Sequence, residues 1–143
     1  MAADILVDTG PLLALVDRRD QWHRRCAAVW QHLRFPLLTS ESVLNEFFYL
    51  LRANARSIEP GWTLVRSGAI TVGAITDQDL PGIRALMKQC ADLPMDFADA
   101  TLVHLAQRER LNTIFTVDSD FLVYRLRGRE RFRVLPGFGR TRN

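Results

Sequence analysis

The chain has 143 residues, 48% of them hydrophobic and 24% charged, with a formal net charge of +3. That length suits one domain with a proper core, and the balance excludes a disordered chain. No apolar run approaches the roughly 20 residues that span a bilayer, and no basic-then-apolar leader is visible, so a cytoplasmic location is expected.

Asp4 to Val7 reads as a buried strand, closed by Asp8. Thr9-Gly10-Pro11 then turns the chain, and Pro11 suits the first position of a short helix from Leu12 to Val16. The charged knot Asp17-Arg18-Arg19-Asp20 is a loop. Trp22, Cys26, Val29, Trp30 and Leu33 recur at helical spacing and predict an amphipathic helix over Gln21 to Arg34 that buries its indoles. Leu37 and Leu38 form a brief strand, and Ser40 is the N-cap of a helix running to about Ala55. Glu59-Pro60-Gly61 breaks the chain before a helix from Trp62 to Ser67, and Ala69 to Ile75 reads as a strand. Thr76 with Asp79 resembles a capping box before a helix carrying Ile83, Leu86, Met87 and Cys90. A helix carrying Asp99, a strand from Thr113 to Val117, a short helix from Phe121 and a strand from Phe132 to Leu135 complete the order. Residues 136–143 are expected to form a loose tail.

Strands separated by helices, each apolar on both faces, predict an α/β domain. Three layers are expected, with a mainly parallel, five-stranded sheet between helices. No repeat or internal boundary is visible, so residues 1–143 are read as one domain. In such sheets ligands collect outside the carboxyl ends of the strands, where Asp8 and Asp118 both lie.

Acids also stand on helix faces that should turn inward. Three, four and seven residues beyond Asp99 come Leu102, Val103 and Ala106. Glu46 has Val43 three residues before it and Leu50 four after. An ionised carboxylate on such a stripe costs several kcal/mol unless something positive meets it. Four converging carboxylates repel, and a divalent cation reverses that. Oxygen-only ligation selects Mg²⁺ or Mn²⁺, which acidify water and clamp phosphoryl oxygens. The chemistry is that of a phosphodiester hydrolase with no protein nucleophile. Thr9 and Thr116 are candidate donors to orient the strand-end acids. Asp96 and Asp120 are additional acids, each read as a helix cap in preference to a ligand. Capping alone would account for Asp8 or Asp118 singly, but Glu46 sits too far inside its helix to cap. His104 reads as an ordinary, partly exposed side chain.

Zinc is not indicated: His23, His32 and His104 are scattered, and Cys26 and Cys90 have no ligand-spaced neighbours. Of the 19 basic residues all but Lys88 are arginine, and seven arginines follow Tyr124 against one acid, Glu130. Guanidinium groups match phosphate bidentately, so a basic end beside an acidic site hints at nucleic acid.

Asp8-Thr9-Gly10-Pro11-Leu12-Leu13-Ala14-Leu15, Asn45-Glu46-Phe47, Asp99-Ala100 and Thr116-Val117-Asp118-Ser119-Asp120-Phe121 resemble, in order and spacing, the motifs of PIN domains. Among these the chain is most similar to the VapC-type toxins of bacterial toxin–antitoxin pairs. Each motif is weak alone; the four together cover nearly the whole chain and are fairly specific. The resemblance implies a Mg²⁺/Mn²⁺-dependent endoribonuclease, usually dimeric and held by a VapB-like antitoxin. By position Asp8, Glu46 and Asp99 would be the core metal ligands, Asp118 the fourth acid, and Thr116 a support for Asp8. Leu12, Leu13, Phe47, Phe48 and Trp62 would help line an apolar groove for an antitoxin helix, whose arginine would enter the acid site. Arg18 and Arg19 in the early loop, with Arg125 and Arg127 in the basic end, are the candidate RNA contacts. The competing reading is a PIN-like module that binds RNA or protein without cutting; a complete set of costly acids argues against it. Phosphatases of the haloacid-dehalogenase type fail because position 10 is glycine, and receiver domains and P-loops fail because Lys88 lies mid-helix after Met87.

Overall fold

The computed structural model describes residues 2–139. At its centre lie five parallel strands: β1 (Ile5–Val7), β2 (Leu37–Ser40), β3 (Ile70–Gly73), β4 (Thr113–Phe115) and β5 (Arg133–Leu135). Their order across the sheet is β3-β2-β1-β4-β5. The central strands are mostly apolar because both their faces are covered; Leu6, Val7, Ile114 and Phe115 are fully buried. The expectation of two apolar faces fails at the edge, where Thr71 and Val72 of β3 are exposed.

Helices α1 (Thr9–Val16) and α2 (His23–Trp30) connect β1 to β2, and α3 (Glu41–Leu51) and α4 (Ile58–Arg66) connect β2 to β3. The return from β3 to β4 runs through α5 (Leu80–Gln89) and α6 (Phe97–Glu109). The first two crossovers step one way across the sheet and the third steps back over two strands. Right-handed crossovers therefore place α1–α4 on one face and α5–α6 on the other. The packing agrees, with α1 against α2, α3 and α4, and α5 against α6. The three-layer α/β/α architecture is the one expected.

Several local expectations are corrected. Helix α2 is shorter than residues 21–34, because Asp20 closes a turn ahead of it by accepting from the Trp22 N–H at 2.8 Å. Only Cys26 on α2 is fully buried; the Trp22 and Trp30 indoles are half-buried. Helix α4 starts before the Glu59-Pro60-Gly61 step that was expected to break the chain. Pro60 stands in the first turn, where its missing N–H is no loss. Gly61 lets α4 approach α3, since an added Cβ would lie 2.6 Å from Leu51 Cδ1. The expected capping box forms, with the Thr76 N–H donating to Asp79 Oδ2 at 2.8 Å. His104 is partly exposed, as expected, but it has partners. Its Nε2 lies 2.8 Å from Asp79 Oδ1, and Arg108 Nη1 lies 3.2 Å from the same oxygen. That cluster fastens the lead-in to α5 onto α6.

The start of the expected tail, Gly137 and Phe138, lies against α2 and its N-cap Trp22. The Arg25 guanidinium donates to the Gly137 carbonyl, and the Trp22 and Phe138 rings meet edge-on with centroids 5.7 Å apart. The rest of the expected tail, residues 140–143, lies outside the described residues. Among the described residues no helix is long and apolar enough to cross a membrane.

Candidate active site

The strand order reverses between β1 and β4, so the carboxyl ends of these neighbours open onto a crevice. Their register sets Val7 opposite Phe115, and the Asp8 N–H extends the pairing to the Phe115 carbonyl at 3.0 Å. Asp8 and Thr116 thereby come side by side. The Thr116 hydroxyl donates to Asp8 Oδ2 at 2.8 Å and accepts from the Asp118 N–H at 3.0 Å, so one threonine orients both strand-end acids. Asp8 also caps α1 by accepting from the Thr9 N–H at 2.8 Å. Asp118 caps a 3-10 turn, Ser119–Leu122, by accepting from the Asp120 N–H at 2.9 Å. The cap fixes where each carboxylate points. Asp120 is therefore not the cap it was expected to be. It lies within the turn, its carboxyl pushed up by burial and then by Asp118. Gly10 permits the close passage of α1, because an added Cβ would collide with the branched, stiff side chain of Val117.

Glu46 comes from the second turn of α3 and Asp99 from the first turn of α6. Buried Ser40 Oγ and Thr101 Oγ1, 2.8 Å apart, tie the starts of these two helices together. Asp96 is the cap of α6, as expected, accepting from the Asp99 N–H at 2.8 Å. Asp99 Oδ2 receives the Asp96 N–H at 3.4 Å and the Tyr124 hydroxyl at 3.1 Å.

The acids feel one another. Burial pushes Asp8 up to about 6, with Asp118 and Glu46 adding to the rise. Burial likewise raises Asp99 to about 7, helped by Asp96 and Asp8. Glu46 is raised by burial, then by Asp96 and Asp118. The buried Thr9 Oγ1 completes no hydrogen bond among the described residues, although it lies near enough to Glu46 to temper that carboxyl. Asp8, Glu46, Asp99 and Asp118 thus share one negative field, with exposed Asp96 at its rim. None of these four is in an ion pair among the described residues.

Among the described residues no three His, Cys, Asp or Glu side chains already stand close enough together to hold a metal ion. The acids share a field, not a finished coordination shell. Their chemistry nevertheless fits a hard divalent cation: oxygen donors only, mutual repulsion without a basic partner, and an orphaned buried hydroxyl beside them. The model of the PIN domain family matches residues 5–126, a span that takes in all four acids and both threonines. The chain belongs to the PIN domain family. In fold this PIN domain is similar to the crystal structure of Mycobacterium tuberculosis VapC20, described as a sarcin-ricin loop cleaving toxin. The TM-score is 0.73 at 21% identity, covering 81% of this chain and 91% of that one. No curated protein sequence matches the chain.

The expected RNA-contact arginines of this PIN domain fall on two stretches of the chain. Arg18 and Arg19 follow the far end of the eight-residue α1, about 12 Å of helix from Asp8. Arg125 folds back onto its own turn, donating to the Leu122 carbonyl at 3.1 Å and the Val123 carbonyl at 2.6 Å. Arg127 reaches Glu130 at 3.4 Å. Arg127, Arg129, Arg131 and Arg133 are all exposed. The expected antitoxin groove is corrected, because Leu12 and Phe47 are fully buried and cannot line it. Leu13 is half-buried, and Phe48 stacks on exposed Trp62 with centroids 4.2 Å apart. Tyr124 is the residue that sequence reasoning missed. The available signal was that a tyrosine in an apolar turn needs a partner for its hydroxyl.

Proposed function

We propose that this PIN domain protein is a Mg²⁺- or Mn²⁺-dependent endoribonuclease that hydrolyses RNA phosphodiester bonds, acting as the toxin of a toxin–antitoxin pair. The observation that supports the reading is the group of unpaired, mutually repelling carboxylates at the point where the strand order reverses. Asp8, Glu46, Asp99 and Asp118 would hold the cation. Bound there, it supplies the positive charge that acidifies the attacking water and stabilises the phosphoryl oxygens. Thr116 keeps Asp8 and Asp118 in register, and burial keeps Asp8 and Asp99 ready to exchange a proton for a cation.

A cleft of about 1030 Å³ borders Glu46 and Asp96, walled by α3, the end of β3 and the start of α6. Its charged lining residues, Glu41, Glu46, Asp77 and Asp96, are all acidic, so an RNA backbone enters only with cations or beside basic surface elsewhere. A VapB-like antitoxin and a second copy of the chain are the proposed protein partners, and the cytoplasm the proposed location. The fold shared with VapC20, itself described as a cleaving toxin, supports the same reading.

Total RNA incubated with the protein and Mn²⁺ should yield discrete new ends on sequencing. Chelation or Asp99→Asn should lower their yield by more than about a hundredfold, the upper range for losing a supporting group alone. Cleavage that survives chelation would sink the metal-dependent reading. RNA binding without cleavage under either cation would favour the non-cutting module.

A further inference from the structure

We infer that Tyr124 is a positioning residue of the acid site: its buried hydroxyl, bonded to Asp99, fastens the turn that carries Asp118 to the helix that carries Asp99. The inference rests on the metal-site reading and extends it to a residue outside the four acids.

Tyr124 is 1% exposed and is among the largest fully buried side chains. Its ring packs edge-on against Phe121, centroids 5.1 Å apart, and Phe121 packs in the same way on Phe132 at 5.8 Å. A phenylalanine would fill that space equally well, so packing does not explain the hydroxyl. A buried hydroxyl needs an acceptor, and the one it has is Asp99 Oδ2 at 3.1 Å. The Asp96 N–H falls on that same oxygen, and Oδ1 of Asp99 receives no hydrogen bond among the described residues. One oxygen of Asp99 is thus anchored by the protein and the other left open.

The anchor reaches Asp118 through a short, tightly bonded turn. The Phe121 N–H donates to the Asp118 carbonyl at 3.3 Å, and the Tyr124 N–H to the Asp120 carbonyl at 3.2 Å. Arg125 closes the turn through the Leu122 and Val123 carbonyls, and the Gln107 side chain holds the next residues to α6 by donating to the Leu126 carbonyl. Asp118 and Asp99 come from different elements, and this strap with Tyr124 at its centre relates their positions.

The test is Mn²⁺ affinity, measured on the whole chain by the electron paramagnetic resonance of free Mn²⁺. Tyr124→Phe keeps the ring and its packing, so the fold stands. It should raise the Mn²⁺ dissociation constant about tenfold, the size seen when a ligand loses its outer partner. Phe132→Leu is the control: it loosens the same aromatic cluster without touching Asp99, and should lower the melting temperature while leaving Mn²⁺ affinity unchanged. A change under about threefold in Tyr124→Phe, or an equal loss in Phe132→Leu, overturns the inference. If the unaltered protein takes up no Mn²⁺, the metal reading itself fails and this assignment with it, a result distinct from either of those.

Discussion

A carboxylate raised by burial and by its neighbours makes a definite statement about stability. Asp8 is pushed up to about 6 and Asp99 to about 7, from an ordinary value of 3.8. Between 3.8 and those values the folded chain binds more protons than the unfolded one, so stability falls as pH rises through that window and levels off above it. In chelator, the protein should therefore melt several degrees higher at about pH 5 than at about pH 8. Asp99→Asn should narrow that gap without lowering the melting temperature at the higher pH, because it relieves repulsion. Calorimetry across the range checks both. A variant that unfolds would show that the acid holds the structure together instead of storing strain for a ligand.

Among elements, the most telling junction is the one between α5 and α6. Asp79 accepts from the Thr76 N–H, His104 and Arg108, and these bonds, the first above all, hold its carboxyl well below the usual range. A depressed carboxylate contributes stability above its unfolded value and loses it as pH falls through the folded one, so this contribution vanishes only in strong acid. Arg108 also donates to the Ala74 carbonyl at 2.7 Å, on the wall of the acidic cleft. Asp79→Ala should lower the melting temperature by several degrees at neutral pH. Asp77→Ala, at an exposed neighbour whose side chain makes no hydrogen bond among the described residues, should leave it unchanged. Equal melting curves for the two variants would mean that the α5–α6 contact is held by its apolar residues alone.

Over the whole molecule, a net charge of +3 conceals a division between an acidic cleft and an arginine-rich end. Arg125 is spent on its own turn and Arg127 is shared with Glu130, while Arg129, Arg131 and Arg133 are exposed and form no ion pair among the described residues. Single-stranded RNA binding by a cleavage-defective Asp99→Asn chain should weaken steeply with salt. Replacing both Arg129 and Arg131 with alanine should reduce the slope of log affinity against log salt by about 1.4, roughly 0.7 for each lost phosphate contact. An unchanged slope would place the RNA on another face.

The sequence alone determined which acids stand out as candidates. Acids after apolar strands, and Asp99 on its inward helix stripe, are anomalies visible without coordinates, because burying a charge is costly wherever the chain happens to run. The stripe expected for Glu46 does not hold, since Leu50 is exposed and Glu46 only partly buried. Alternation of short apolar runs with helical periodicity likewise determined the layers. Only the tertiary structure decided how Asp8 and Thr116, far apart in sequence, meet through the β1–β4 register. It also decided that Tyr124 answers Asp99, that His104 answers Asp79, and that Leu12 and Phe47 turn inward. Pairings of that kind depend on which surfaces face each other after the sheet is assembled. Local spacing holds no record of them.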